Sequence, residues 1–398
     1  MKKIGKEVLF LKTGEMNPRN GESTMIRLKD GRIMLAYTEY CSEDGADHGA
    51  ARISARYSSD EGESWSQPRI LMEKPDDAQN IMSPSLIRLG DGGLGMVYLR
   101  KDVYEDFGVS CIPMFVRSED EGESFSLAVS CGFPSGYYCG VNDSVLVTKS
   151  GRIYLPTSYT GERRDAMKMM NPKPIPHVSD LRIAYSDDHG RSWQVLDSVL
   201  RTPYSNSQGL FEPGIFEHEN GDLWLYCRTP FGHQYDTLSQ DEGKTWLAVE
   251  PNCRFTSPDA PMRVKRVKNF VVAVYNPVGY SCLQGMTETW GSPKRTPIVL
   301  ALSRNDGRSF NDRSVTAAGG GFLSVAGNTY LLEDDLSNSY CYPSVLEVRD
   351  GLLVSYYHSD GDARCLNASK VIKIYDKELE EEGGWHEEDG LQSISYPF

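Results

Sequence analysis

The chain of 398 residues carries a formal net charge of −14 with a pI near 5.1, and 25% of its residues are charged. That balance excludes nucleic acid and anionic membrane surfaces as partners, because a bound anion must then meet a local cluster of Arg and not a general basic field. No apolar run is long enough to cross a membrane, nine Cys without metal-ligand spacing read as buried free thiols, and seven His show no ligand spacing, so no metal or cofactor is expected.

From the N-terminus, MKK is followed by no apolar signal core, which makes the chain cytoplasmic in expectation unless a leader was trimmed. KEVLFLK (6 to 12) has the composition of a strand. LKDGRIMLAY (28 to 37) then sets a tight turn between alternating apolar runs, the strongest short-range hairpin signal, and SSDEGESW follows at 58. The same pair recurs as LGDGGLGMVY (89 to 98) with SEDEGESF at 118, VTKSGRIYL (147 to 155) with SDDHGRSW at 186, and HENGDLWLY (218 to 226) with SQDEGKTW at 239. A weaker hairpin lacking the Gly, VKRVKNFVVAVY (264 to 275), precedes SRNDGRSF at 303, and VRDGLLVSYY (348 to 357) closes the series.

All five boxes read Ser-x-(Asp or Asn)-x-Gly-x-(Ser or Thr)-(Trp or Phe). The short polar side chain accepts bonds from its own turn, the Gly supplies a positive φ, and the aromatic starts the next strand. Six hairpins and five boxes give about 66 residues and four strands per unit, the size of a propeller blade. The expectation is an all-β, six-bladed β-propeller of four-stranded blades with Asp-box turns, one domain over 1–398. After SKVIKIYDKEL (369 to 379) an acidic tail carries no box, so residues 6 to 12 are expected to supply the outer strand of the last blade and close the ring.

The repeats also point to a site. Nine residues before the turn Gly of each hairpin stand Glu22, Ser83, Asn142, Glu212 and Tyr342, at the starts of first strands, which ring one mouth of a propeller channel. Seven or eight residues after that Gly stand Thr38, Arg100, Arg228 and His358. Polar side chains at repeat-equivalent positions are expected of a pocket, or of a polar, water-filled channel. Long interruptions at 161 to 180 and 276 to 295 would shape the rim, with Tyr280 and Trp290 as stacking surfaces.

Asp boxes on a six-bladed propeller resemble the sialidase superfamily, from about residue 15 to 360. EPGIFEHENGDLWLYCRT (212 to 229) resembles the fourth blade of sialidases, with Glu212 opening it and Arg228 closing the hairpin. Arg295 in KRTPIVLALS resembles their later Arg, Tyr342 in YCYPSVLEV the Tyr of the sixth blade, and Asp47 in ADHGAARIS the acid after the first hairpin. The resemblance implies an exo-glycosidase that releases terminal sialic acid from glycans. Arg forks suit the sugar carboxylate and keep their charge at any working pH. The same carboxylate would repel an Asp or Glu nucleophile, which is a reason for a neutral Tyr. In this scheme Glu212 takes the proton of Tyr342, Tyr342 attacks, and Asp47 protonates the leaving oxygen.

One departure separates the chain from that pattern. Sialidases open their first blade with Arg-Ile-Pro, where this chain has Glu22-Ser23-Thr24. A Glu facing a substrate carboxylate is repulsive. Either Arg19 or Arg100 fills the gap, beside Asn142, Arg228 and Arg295 as substrate-binding residues, or the sugar is a different one. Glu22, Asp47 and Glu212 would then provide the paired carboxylates of an ordinary glycosidase. A glycan-binding propeller without catalysis is the third reading.

Overall fold

The computed structural model describes residues 1–42, 45–104, 108–161, 164–165, 178–202, 209–278, 295–316, 322–359 and 366–380. Six antiparallel sheets form the six blades of a β-propeller. In the first, strands Arg19–Arg27, Ile33–Tyr40, Ala51–Ser58 and Arg69–Met72 pair in chain order. The fourth (Phe211–Glu217, Leu223–Arg228, His233–Ser239, Glu250–Thr256) repeats that order. First strands of successive blades pack on one another around the whole ring and so line its centre.

The sixth blade closes as expected. Strands Tyr340–Val348, Gly351–His358 and Ala368–Tyr375 take Lys6–Leu11 as their outer edge, with Lys6 opposite Lys373 and Leu11 opposite Ser369. The ends of the chain are thereby joined in one sheet, and the otherwise open edge of the last blade is paired.

Because alternate residues of a strand point to opposite faces, each blade buries both. Among the described residues the apolar core is therefore cut into a slab at each blade junction, with two smaller clusters, around Tyr40 and Met82 and around Cys341 and Tyr357, beside them. Leu28, Met34, Ile81 and Met96 fill that between blades one and two, and Phe216, Trp224, Val264 and Val271 that between four and five. Each box aromatic packs into the junction with the preceding blade: Trp65, Phe125, Trp193, Trp246 and Phe310.

The boxes themselves repeat one set of bonds. In the first, Asp60 Oδ1 accepts from the Ser58 hydroxyl at 2.8 Å and the Ser64 N–H at 2.9 Å, and Gly62 turns with φ 86°. In this box the aromatic does not start the next strand directly, since Trp65 lies four residues ahead of Arg69–Met72 and its indole N–H donates to the Gly62 carbonyl; in the third box Trp193 makes the matching bond to Gly190 and leads straight into Gln194–Val195. Boxes join third to fourth strands, at the outer edge of each sheet.

Three details depart from the even repeat. The first strand of blade three is broken into Tyr138–Cys139 and Leu146–Val147. In blade five a hairpin, Arg313–Thr316 with Phe322–Val325, precedes the outer strand Thr329–Glu333. Within the interruption at 161 to 180, Arg164–Asp165 pairs with the third strand of blade two.

Candidate active site

The feature that builds the mouth is a bulge placed at the same point in successive first strands. Pairing in blades one, two, four and six slips between Gly21 and Thr24, Met82 and Ser85, Phe211 and Gly214, and Cys341 and Ser344. Within those slips Glu22, Ser83, Glu212 and Tyr342 have φ of 52°, 54°, 45° and 54°. A left-handed backbone costs a non-Gly residue about 1–2 kcal/mol, and bulges turn a side chain out of the ladder. Four polar side chains are thus aimed by one repeated, strained device.

In blades four to six the result is one connected cluster. The Tyr342 phenol donates to Glu212 Oε1 at 2.6 Å. Arg228 Nη1 lies 2.8 Å from Glu212 Oε2 and 3.3 Å from the Tyr342 oxygen. Arg228 Nε stands 3.1 Å from Asp259 Oδ1, and Arg295 lies over the Tyr342 ring at 5.7 Å. Burial first, and then the Glu212 carboxylate, push the Tyr342 phenol well above its usual pKa. The phenol is therefore neutral and already bonded to its base. Burial opposes the charge on Arg228, but Glu212 and Asp259 hold it firmly protonated.

Blades one and two form a second cluster. Arg19 is stacked between Tyr40 and Tyr357 at 4.6 and 5.1 Å. It donates to the Tyr357 oxygen at 3.0 Å, to the Gly45 carbonyl at 3.3 Å and to Asp47, and lies 3.6 Å from Glu22 Oε1. Arg19 holds the Asp47 carboxyl well below its usual range. The Asp47 loop is tied down by Lys101 Nζ at 2.7 Å and Asn80 Nδ2 at 3.2 Å, both on the Asp47 carbonyl. Glu22 accepts from Ser83 and is buried, and burial raises its pKa. The Tyr342 and Tyr357 rings meet edge to face at 5.6 Å, so the two clusters adjoin.

Below the mouth the axis is crossed by hydrogen bonds and is not an open polar channel. Asn142 Nδ2 donates to the Ser23 carbonyl at 2.6 Å, Arg263 donates to the Asn142 carbonyl at 2.6 Å, and Asp143 pairs with Lys265 at 2.9 Å. Asn142 also reaches the Tyr342 carbonyl at 3.3 Å. Its place in the repeat is taken by Asp143, with φ 55°, because the broken strand of blade three shifts the count by one.

The forward count succeeds in some blades only. Arg228 is paired with Phe211 and Thr38 with Gly21, each the residue before a bulge. In blade two that place belongs to Leu99, opposite Met82. Arg100, one residue on, is turned away and ion-paired with Asp77 at 2.9 Å and Asp102 at 3.0 Å. In blade six it belongs to Tyr357, and His358 packs against Phe10 and Tyr340. Tyr280 and Trp290 lie outside the described residues. Sequence reasoning missed Asp259, although the signal exists: Lys268 stands at the turn with φ 49° in place of Gly, and nine residues before it is Asp259, with φ 56°. Cavities of about 550 and 490 Å³ lie between blades four and five beside the hairpin and box turns, and include no residue of either cluster.

The blades, boxes and mouth together define a propeller with the sialidase-like fold. Residues 31–355 match the model of the BNR repeat-like domain, and the chain belongs to that family. A protein of unknown function from Dyadobacter fermentans is similar at 18% identity, with a TM-score of 0.68 over 93% of this chain and 98% of that one. The leech intramolecular trans-sialidase, solved with 2,7-anhydro-Neu5Ac, is similar at 13% identity and TM-score 0.66 over 95% and 71%. The intramolecular trans-sialidase of Ruminococcus gnavus, solved with oseltamivir carboxylate, gives 12% and 0.64 over 94% and 98%. No curated protein sequence matches the chain. Among the described residues no helix is long and apolar enough to cross a membrane.

Proposed function

We propose that the protein is an exo-acting glycoside hydrolase that releases a terminal sialic acid from glycans. The observation that carries this reading is the 2.6 Å bond from the Tyr342 phenol to Glu212, with Arg228 reaching both groups. A phenol becomes a nucleophile when a base takes its proton as it attacks, and Glu212 is bonded to that proton already. Arg228 steadies the phenolate oxygen that develops. Attack on the anomeric carbon expels the aglycone, and Asp47, at the exposed edge of the second cluster, gives it a proton and later draws one from water. Asp47 is held ionised by Arg19 in the free protein, so the sugar carboxylate must draw Arg19 off before Asp47 can act as an acid. The trans-sialidases of similar fold support a sialoside substrate by analogy of fold only.

A second reading is favoured by Glu22. It is buried where sialidases are expected to place an Arg, and Arg19 is already committed to Tyr357, Gly45 and Asp47. Glu22, whose pKa burial raises, and Glu212, ion-paired with Arg228, form two carboxyls in contrasting environments, as a paired-carboxylate hydrolase of a different sugar requires.

Turnover of an α-sialoside with a fluorinated sialic acid as trap decides between them. The expected result is an adduct on the peptide containing Tyr342, lost in Tyr342→Phe and slowed in Glu212→Gln. Inversion of configuration without an adduct would remove Tyr342 as nucleophile, and glycan binding without turnover would leave a lectin.

A further inference from the structure

We propose that Lys101, with Gln79 and Asn80, is a positioning residue: blade two grips the loop of Asp47 by its backbone, so that Asp47 keeps its place at the mouth when a ligand draws Arg19 away. The inference rests on the reading of Asp47 as the acid of a glycosidase, and it adds the residues that place that acid. Three consecutive carbonyls are taken, all by blade two. Lys101 Nζ donates to the Asp47 carbonyl at 2.7 Å, Gln79 Nε2 to that of His48 at 2.9 Å, and Asn80 Nδ2 to those of Asp47 and Gly49 at 3.2 and 2.9 Å. The donors stand on one platform. Asn80 opens the strand Asn80–Arg88, Lys101 lies opposite it in Leu94–Val103, and the Gln79 N–H donates to the Lys101 carbonyl at 2.8 Å. On the loop side, the Gly49 N–H closes a turn onto the Ala46 carbonyl at 2.7 Å.

Lys101 is the informative member of the three. It is 4% exposed, it has no carboxylate partner among the described residues, and its ammonium gives one bond there, to a neutral carbonyl. Burying a charge without a counter-ion is costly, and a neutral donor such as Asn80 holds the loop without that cost. What the ammonium adds is charge: after Arg19, and against burial, Lys101 favours the ionised form of Asp47. The other titratable groups around Asp47 are Glu22 and Tyr40 of blade one, Tyr357 of blade six and His48 of its own loop. The two grips on the loop are separate. Arg19 takes the Asp47 carboxylate and the Gly45 carbonyl, whereas blade two takes the carbonyls of Asp47, His48 and Gly49. When Arg19 leaves, the grip of blade two remains, and Lys101 is the cation that still acts on the carboxyl.

The test compares Lys101→Met, or Lys101→Gln should Met fail to fold, with Asn80→Ala and Lys101→Arg in the full chain. Amide hydrogen exchange over residues 45–50 should be about tenfold faster in Lys101→Met and Asn80→Ala than in the wild type, while exchange in the Asp188 box stays unchanged. With an α-sialoside, kcat should fall about tenfold to a hundredfold in both variants and KM stay within about threefold, as expected of a misplaced acid. The pH profile of kcat separates charge from support. Without the Lys101 ammonium Asp47 keeps its proton to higher pH, so the alkaline limb should move up by about one unit in Lys101→Met and stay in place in Asn80→Ala and Lys101→Arg. Unchanged exchange over residues 45–50 in both variants would overturn the grip. A limb that stays in Lys101→Met, or moves equally in Asn80→Ala, would make Lys101 a structural peg and overturn its part in the site. Failure of the wild type to turn over any glycoside would instead remove the hydrolase reading, and the exchange measurement would still decide whether blade two holds the loop.

Discussion

The mouth and the rim of this propeller are built from the same repeat, yet they use it in opposite ways. At the rim the chemistry is copied: Asp60, Asp120, Asp188 and Asp241 each take a Ser hydroxyl and a backbone N–H, and Asn305 takes the same pair of bonds in the fifth box. At the mouth only the backbone is copied. The bulge stays in four blades, while the side chain it turns inward changes from Glu22 to Ser83, Glu212 and Tyr342, and in blade five Asp259 has the same left-handed backbone ahead of the strand. Repetition of side chains marks what each blade needs for its own turn. The rim also repeats a left-handed residue, at Glu61, Glu121, His189, Glu242 and Asp306, so what marks the mouth as a surface serving the whole ring is the bulge that turns a different side chain inward in each blade.

Mutations should separate the two regions. Tyr342→Phe is expected to cost turnover about a thousandfold or more while leaving the melting temperature nearly unchanged, since the ring keeps its packing on Tyr357. A variant that still turns over at near wild-type rate would show that the mouth is not organised around the phenol. Arg228→Lys keeps the charge but cannot meet Glu212 and Asp259 together, so KM for an acidic sugar should rise about tenfold to a hundredfold.

At the rim the order reverses. Asp188→Ala removes bonds to the Ser186 hydroxyl, the Ser192 N–H and the Ser192 hydroxyl and should lower stability by about 1–3 kcal/mol, with kcat of the folded fraction unchanged. Asp188→Asn should cost less, because Asn305 already fills that place in the fifth box. A change in kcat without a change in urea midpoint would show that the boxes reach the chemistry.

The smallest effect tests the strain at the mouth. Burial raises the pKa of Glu22 above its unfolded value, so its contribution to stability is present at low pH and is lost as pH rises through the folded pKa. Glu22→Gln mimics the protonated form. It should therefore raise the melting temperature slightly at pH 8 and leave it unchanged near pH 4. A variant equally destabilised at both would mean that the charged form is the one the fold requires.

Much of the site was legible because hairpin turns fix register. A first strand paired across a turn of constant length puts its bulge a constant distance back, which is why counting from Gly31, Gly92 and Gly221 reached Glu22, Ser83 and Glu212; in blade six Gly351 already pairs with Val348, and the same count still lands on Tyr342. The failures share that cause. A one-residue slip flips a side chain to the other face, so Arg100 was reached where Leu99 holds the matching place, and the tighter turn between Val348 and Gly351 made His358 stand in for Tyr357. Asp259 was lost with its turn Gly. No local signal shows Lys101 and Asn80 pinning the Asp47 loop, because those contacts join separate blades.

The sequence by itself determined the number of blades, the turn chemistry of each and the strand that closes the ring, since all three follow from short-range patterns repeated along the chain. Only the tertiary structure decided which charges share a partner. Arg19 sits with Asp47 and Glu22, and Arg228 with Glu212 and Asp259. Those pairings depend on how the bulged first strands of blades one, two, four and six converge on one mouth, which only closure of the ring brings about.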